Sequence, residues 1–229
     1  VTRTWRLPSE DENALSAYYS AVNWSKKVWM LNLKEVSDKQ KVYDAIRTAD
    51  IVIANYKTGS AEKLGMDAKM LMALNPRLIY ANLTGFPNGS KRPAFDVVLQ
   101  AETGFMYMNG QAENPPTKMP VALIDILAAH QLKEGVLLAL WQREKTGKGS
   151  LVEASLFNAS IAALANQASN WLMAKHIPQR MGSLHPNIAP YGEQFETADG
   201  RLLVLAIGND KQFKGLCQLL GLKAILEDV

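Results

Sequence analysis

The sequence is poor in the residues that bind metals or form cross-links. It contains one cysteine, Cys217, and three histidines among 229 residues. A single cysteine excludes an internal disulfide and is typical of a reducing compartment, so we expect a cytoplasmic protein. Cys217 lies in the helical pattern FKGLCQLLGL, which predicts a buried thiol. The histidines, at positions 130, 176 and 185, lack the spacing of metal ligands, and we expect no metal site.

Long apolar runs and massed charge are also missing. No segment is long and apolar enough to cross a membrane and no signal peptide opens the chain, so we expect no membrane partner. The 25 basic and 22 acidic residues give a net charge of +3 and are interspersed, which argues against a nucleic-acid partner. The hydrophobic content of 48% is ordinary for a globular protein of one or two domains.

The first third of the chain alternates between apolar runs and helical periodicity. Runs rich in branched and aromatic residues predict strands at 28–33, 51–55 and 78–84. Apolar residues at helical spacing predict helices at 37–49 and 60–74. This order predicts an α/β fold in which crossover helices connect the strands of a parallel sheet.

Loops rich in glycine, proline and asparagine follow residue 85 and enclose one predicted helix that ends near Gly104. A second, long helix is predicted from Val121 to Lys145. Further along, the patterns predict a strand at 150–156, a helix at 158–174, a loop at 182–195 and a hairpin that turns at Asp199-Gly200.

The stretch VALIDILAAH, residues 121–130, places Asp125 within a run of aliphatic residues. An ionised carboxylate in an apolar setting is costly unless it is paired, so Asp125 is a helix N-cap, a salt-bridged core residue or a reactive group lining a pocket. In the first turn of a helix the macrodipole favours the ionised form, so we expect Asp125 to stay ionised at neutral pH, as the reference aspartate pKa of about 3.9 suggests. Such a carboxylate can attack an activated acyl group and form a mixed anhydride.

Two other motifs invite a functional interpretation and are weaker. KTGKGS, residues 145–150, lacks the first glycine of a phosphate-binding P-loop, because Gln142 stands in its place, and it predicts a helix stop instead. A Ser-His-Asp triad stays open, although no G-x-S-x-G motif is present.

ANYKTGSAEKLG, residues 54–65, predicts the end of a strand, a turn at Thr58-Gly59 and a helix that begins at Ser60. Anions collect at such positions, and Lys57 and Lys63 flank the turn. The alternative is a surface turn with solvated lysines. The loop KRPAF, residues 91–95, has the same two interpretations.

Several motifs stand together in one order: VTRTW, SAYYSAVNWSKKVWMLNLK, ADIVIANYKTGSAEKLGM, NPRLIYANLTGF, PAFDVVLQAETGFM, WQREKTGKGSLVEASLFNA and HPNIAPYGEQFETADGRLLVLAIGN. They resemble the class III coenzyme A transferases (CaiB/BaiF type). The resemblance implies the Rossmann-like large domain of that family at 1–190 and the start of a smaller domain at 191–229. It also implies a central piece of such a protein, truncated at both ends, without the family's first strand and glycine-rich loop.

The resemblance implies a role for individual residues. Asp125 matches the family's catalytic aspartate, which would carry the acyl group as an anhydride and then coenzyme A (CoA) as a thioester. The implied substrates are an acyl-CoA and a small carboxylic acid, with no prosthetic group or metal, and the implied assembly is an interlocked homodimer. The implied coenzyme contacts are Leu31, Lys34, Asn55, Tyr56, Lys57, Lys63, Arg92 and Phe95.

Two positions depart from relatives in this family. Phe95 stands where the acyl-CoA racemases have a histidine, which argues against racemisation because that reaction needs two proton-transferring groups. Pro93 stands where formyl-CoA transferases have a lysine. HPNIAPY favours the branch that handles dicarboxylates. The alternatives are an acyl-CoA racemase of the same family and a catalytically inactive dimerisation fragment.

Overall fold

The computed structural model describes residues 2–87 and 89–226 and contains two compact units, Val1–Asp44 and Ala45–Val229. The domain boundary at residue 190 that the resemblance implies remains a prediction. No helix in the described ranges is both long enough and apolar enough to span a membrane.

The first unit holds a 3-10 helix at Thr2–Thr4, helix α1 at Ala17–Val22 and most of helix α2, Val36–Ile46. Ser16 begins α1, because its hydroxyl accepts a hydrogen bond from the Tyr19 N–H at 3.1 Å. The predicted strand at 28–33 is wrong. This segment forms no ladder, and Trp29 and Met30 are 61% and 88% exposed. A strand needs a hydrogen-bonded neighbour, and the described part of this unit contains no other strand.

The second unit contains the remaining elements. Its strands are β1 (Ile51–Ala54), β2 (Ile79–Thr84), β3 (Leu151–Ser155), β4 (Tyr191–Glu196) and β5 (Leu202–Ala206). Its helices are α3 (Ser60–Leu64), α4 (Ala68–Leu74), α5 (Asp96–Glu102), α6 (Phe105–Met108), α7 (Leu123–Thr146), α8 (Leu156–Ala162), α9 (Ala165–Ala174), α10 (Asp210–Leu219) and α11 (Lys223–Leu226).

Strands β1, β2 and β3 form a parallel sheet in that order, with Ile51 opposite Ile79 and Tyr80 opposite Leu151. Helices α3 and α4 connect β1 to β2, and the segment with α5 to α7 connects β2 to β3. This arrangement confirms the predicted α/β fold with crossover helices. The predicted hairpin is also present as the antiparallel pair β4–β5. The predicted loop at 182–195 is wrong over its last five residues, because they pair with β5.

Two predicted helices are each broken in the structure. The helix at 60–74 divides because Gly65 takes a left-handed conformation (φ 69°) and Asp67 starts α4 by accepting the Met70 N–H at 3.0 Å. The helix at 158–174 divides between α8 and α9, where Ala165 has φ 48°. The structure offers no physical reason for this second break. Cys217 is buried on α10, as predicted.

An apolar cluster joins the loop after β2 to three helices. Leu99 of α5, Ile124 and Ala128 of α7, and Ala159 of α8 are fully buried in it. Phe86, from the loop that follows β2, is 7% exposed and belongs to the same cluster. Burial of a leucine, isoleucine or phenylalanine side chain such as these stabilises a fold by about 1.5–3 kcal/mol. The cluster therefore fixes where the first turn of α7 lies relative to α5 and α8.

The KTGKG motif ends α7 as predicted and also brings two backbone segments together. Gly147 terminates the helix in a left-handed conformation (φ 72°), and its N–H donates to the Arg143 carbonyl at 2.8 Å. Gly149 donates its N–H to the Pro76 carbonyl at 2.8 Å. A Cβ atom at position 149 would lie 1.9 Å from the Leu78 carbonyl oxygen, so only glycine fits there.

Two glycine substitutions separate these roles. Gly147→Ala meets no atom within 4 Å and carries only the cost of a left-handed alanine, about 1 kcal/mol. Gly149→Ala must displace the backbone before β2, and we expect a loss of at least about 3 kcal/mol in the free energy of unfolding. Urea unfolding of the two variants measures the difference. Equal losses would contradict the close approach at Gly149.

Candidate active site

Asp125 is the third residue of α7, and the N-cap is Ala122. The N-cap interpretation of Asp125 is therefore wrong. The salt-bridged core interpretation is wrong as well, because the residue is exposed while its neighbours Ile124 and Ala128 are fully buried. The aliphatic run packs one face of α7 into the apolar cluster and leaves Asp125 on an accessible face. Its carboxylate is thus held by a rigid helix and open to a reactant.

A residue of another helix, α5, caps the start of α7. Asp96, the first residue of α5, accepts the backbone N–H of Ile124 at 2.7 Å through Oδ1. Ala122 has no side-chain oxygen, so this carboxylate satisfies one of the N–H groups that every helix start leaves without an intrahelical acceptor. The two residues are 28 positions apart in the chain, and local sequence reasoning missed the contact.

Gln100, one turn further along α5, is fully buried and hydrogen-bonded through both ends of its amide. Its Nε2 donates to Asp96 Oδ2 at 2.5 Å and to the Val121 carbonyl at 3.4 Å. Its Oε1 accepts the Met119 N–H at 2.8 Å. The loop that leads into α7 is therefore tied to α5. The polar pair at i and i+4 in DVVLQAE was the available signal, since it is a known helix-surface pairing.

Two effects besides the helix dipole act on the pKa of Asp125. Partial burial raises the pKa of Asp125, and the negative charge of Asp96 raises it further. Both effects oppose the helix dipole, which favours the ionised form of a carboxylate in the first turn. The carboxylate remains accessible to solvent, so the result is a more basic carboxylate rather than an inert one.

A cavity of about 600 Å³ lies beside the carboxyl ends of the parallel strands. Tyr56 and Lys57 line it after β1, and Phe86 lines it after β2. Asp125 and Phe95 do not contribute to its lining. The complete lining is Tyr56, Lys57, Thr58, Gly59, Ala61, Glu62, Asp67, Ala68, Lys69, Tyr80, Asn82, Thr84, Phe86, Pro87, Gly89, Leu151, Glu153, Ala154, Ser155 and Asn158.

The cavity has mixed charge, with two lysines and three carboxylates among its lining residues. Tyr80 donates its hydroxyl hydrogen to the Met66 carbonyl at 2.7 Å, and burial raises the pKa of Tyr80 to about 12, so this phenol is not a proton-transferring group near neutral pH. The described residues contain no cluster of three or more histidine, cysteine, aspartate or glutamate side chains suited to a metal ion.

Because β1 and β2 are neighbours in the sheet, the segment after β1 lies close to β2 and to the loop that follows it, and two hydrogen bonds connect them. The Thr58 hydroxyl donates to the Ser90 carbonyl at 2.7 Å, and the Asn55 amide donates to the Leu83 carbonyl at 2.8 Å. Asn55 therefore has a structural contact besides its predicted coenzyme contact. Lys57 lies at the cavity, whereas Lys63 is exposed on α3 outside its lining.

Arg92 and Phe95 lie in the loop before α5. Arg92 pairs with Glu102, and its guanidinium stacks over the Phe86 ring, 4.2 Å from the centroid. Phe95 is 67% exposed and directly precedes Asp96. Leu31 and Lys34 belong to the first unit, where Leu31 is half-buried and Lys34 is exposed.

Comparison with known proteins identifies the class to which this fold and site belong. The family model for CoA-transferase family III matches residues 1–229. The succinate–glutarate CoA-transferase of Agrobacterium fabrum is 39% identical over 99% of this chain and 58% of its own length. The acetyl-CoA:oxalate CoA-transferase of Acetobacter aceti is 34% identical over 93% of this chain and 55% of its own length.

A solved structure gives the same result. A CaiB/BaiF family protein from Brucella suis superposes with a TM-score of 0.82 at 37% identity, covering 96% of this chain and 59% of that protein. The chain therefore belongs to CoA-transferase family III, which confirms the resemblance seen in the sequence. It spans a little over half the length of these relatives.

The raised pKa of Asp125 has a consequence for stability. The folded chain holds this proton more tightly than the unfolded chain, so the ionised carboxylate destabilises the fold at a pH above the raised pKa. We expect Asp125→Asn to have a higher melting temperature than the parent at pH 7. The difference should shrink as the pH falls through the raised pKa towards the ordinary value of 3.8. Melting curves from pH 4 to 8 measure it, and a variant less stable at neutral pH would contradict the assignment.

Proposed function

We propose that the complete protein is an enzyme that transfers CoA from an acyl-CoA to a carboxylic acid, with Asp125 as the covalent carrier. The observation that carries this proposal is the position of Asp125: an accessible carboxylate of raised pKa, held in the first turn of a long helix, in a chain of CoA-transferase family III. A more basic carboxylate is a better nucleophile, and its helix fixes it for attack.

The first half of the reaction loads CoA onto the enzyme. An Asp125 oxygen attacks the carbonyl carbon of the donor thioester. The C–S bond then breaks, the CoA thiolate departs, and an aspartyl–acyl anhydride remains on the enzyme. The thiolate then attacks Cγ of Asp125 and displaces the donor acid as its carboxylate. Asp125 now carries CoA as a thioester, so the free energy of the original thioester bond is conserved.

The second half repeats these steps in reverse with the acceptor acid. The acceptor carboxylate attacks Cγ, CoA thiolate leaves, and a new anhydride forms. The thiolate attacks the acceptor carbonyl carbon, and the Asp125 carboxylate is released unchanged. Each attack produces an oxyanion that N–H donors near the helix start would stabilise. The Ile124 N–H donates to Asp96 and the Ile126 N–H donates to the Ala122 carbonyl. Other N–H groups would therefore have to stabilise the oxyanion.

The coenzyme contacts are part of this proposal. Lys57 would meet a phosphate at the cavity edge, and Tyr56 would offer an apolar face to the adenine or pantetheine. Arg92 is already paired with Glu102, so a phosphate must share or displace that carboxylate. Asn55, Lys63 and Phe95 of the second unit also match the family's coenzyme contacts and are proposed as such. Leu31 and Lys34 of the first unit match two further contacts of the family and are proposed on that resemblance alone.

The acceptor is proposed to be a dicarboxylate. The name of the Agrobacterium relative specifies succinate and glutarate, and that of the Acetobacter relative specifies oxalate. The human relative, 30% identical over 99% of this chain and 52% of its own length, is a succinyl-CoA:glutarate CoA-transferase. Racemisation is disfavoured, since the Phe95 side chain has no acidic or basic group that could transfer a proton. An interlocked homodimer in the cytoplasm remains part of the proposal.

Substitution of Asp125 tests the chemistry directly. In the full-length protein, we expect Asp125→Ala to lose at least about 10³-fold in transfer, because no other group then carries the acyl chain. Incubation of the parent protein with succinyl-CoA should add CoA to the peptide that contains residues 121–130, detected by mass spectrometry. The matched control is Asp210→Asn, an exposed carboxylate in the first turn of α10. Full transfer activity in Asp125→Ala would end the proposal.

Binding of CoA distinguishes an enzyme from an inactive dimerisation fragment. CoA that binds only the folded protein raises its melting temperature by mass action. We expect such a rise for the full-length protein, and a smaller one for Lys57→Glu, because the substitution places a carboxylate against a phosphate. Lys214→Glu on α10 is the control. A dimer whose melting temperature does not respond to millimolar CoA would favour the inactive fragment.

A further inference from the structure

We propose that Asp96 and Gln100 are positioning residues for the reaction, which hold the first turn of α7 and place a fixed negative charge beside Asp125. This inference rests on the proposed function. It adds two residues of α5 that bind the backbone just before Asp125 rather than the substrate. The argument has three steps: the anchoring of the helix start, the orientation of the buried amide, and the effect of the charge.

The anchoring step starts from the missing cap. Ala122 cannot accept an N–H through its side chain, and the helix start would fray without a partner. Asp96 Oδ1 lies 2.7 Å from the Ile124 nitrogen, the residue directly before Asp125. A hydrogen bond to a charged acceptor is stronger than a neutral one. The backbone next to the reactive carboxylate is therefore held by a carboxylate of a neighbouring helix.

The amide of Gln100 has one consistent orientation. Its oxygen faces the Met119 N–H at 2.8 Å, so its nitrogen must face Asp96 Oδ2 and the Val121 carbonyl. Asp96 thus receives one hydrogen bond on each oxygen. Because Gln100 is fully buried, the loss of either partner would leave a buried polar group unsatisfied. The amide therefore fixes both Asp96 and the loop that enters α7.

The charge step concerns the surroundings of Asp125. On α5, Asp96 raises the pKa of Asp125, whereas Glu102 is paired with Arg92. On β3, Glu153 lies near Asn82, with 3.4 Å between the two polar side-chain atoms, and α8 carries no charged residue. On α7 itself, Lys133 contacts His130 at 2.9 Å. Burial is the larger cause of the raised pKa of Asp125, and Asp96 is the charge that adds to it and makes the carboxylate more basic and more nucleophilic.

The test uses the pH dependence of the full-length enzyme. Transfer needs ionised Asp125, so the acid limb of the kcat profile follows its pKa in the enzyme–substrate complex. Asp96→Asn removes the charge and keeps an oxygen that can accept the Ile124 N–H, and its amide nitrogen then faces the Gln100 nitrogen, which loses its acceptor. We expect kcat to fall about 10- to 100-fold, the scale of a displaced reactive group, with KM within about twofold of the parent. We also expect the acid limb to move to lower pH.

Asp96→Glu separates charge from geometry. It keeps the carboxylate and changes its reach, so kcat should fall while the acid limb stays where the parent has it. Asp210→Asn should change neither quantity. A role limited to holding the helix would lower kcat in both Asp96 variants and leave both acid limbs in place. That outcome would overturn the part of the inference that concerns charge.

The remaining outcomes are also decisive. An active Asp125→Ala variant ends the proposed function, whereas an inactive Asp125→Ala beside an unaffected Asp96→Asn ends only this inference. If Asp96→Asn does not fold, a carbon-13 NMR titration of the Asp125 carboxyl in the parent and in Asp96→Glu replaces it. An Asp125 pKa at the ordinary value in the parent would then overturn the inference.

Discussion

The hydrogen bond from the Ile124 N–H to the Asp96 carboxylate is the contact on which the candidate active site depends. It joins the start of α7 to the start of α5, and the apolar cluster beneath it joins both helices to α8 and to Phe86. Without this bond, the first turn of a 24-residue helix would lack an acceptor for one of its N–H groups. The position of Asp125 thus follows from a tertiary contact rather than from the propensity of its own helix.

The Asp96 carboxylate also disfavours the ionised form of Asp125. A negative charge beside Asp125 disfavours a second ionised group there, and partial burial acts in the same direction. A helix start normally favours a carboxylate in its first turn. The site therefore combines a stabilising dipole with two effects that raise the pKa of Asp125. Reactive sites commonly retain such a destabilising arrangement because the reaction needs it.

The sequence was sufficient for the features that depend on local patterns. Two of the three early strands, the end of α7 at Gly147 and the hairpin at Asp199-Gly200 all follow from periodicity and turn chemistry. The segment 28–33 has the composition of a strand and is not one in this structure, because a strand is defined by its neighbour. The role of the glycine at 149 was equally hidden, since its nearest contact, Leu78, is 71 positions away in the chain.

The proposal for Asp125 came from its unusual setting and the family resemblance, and neither pointed to Asp96 or Gln100. Asp96 and Gln100 form an ordinary polar pair at i and i+4 of a short helix, and that pairing alone does not indicate a contact with α7. Their proposed role arises because the chain returns 19 to 28 residues later and places a helix without a side-chain cap against them. A local sequence pattern shows which residues a single helix or strand needs for its own structure. A reactive group held by its neighbours needs the fold to reveal which residues hold it.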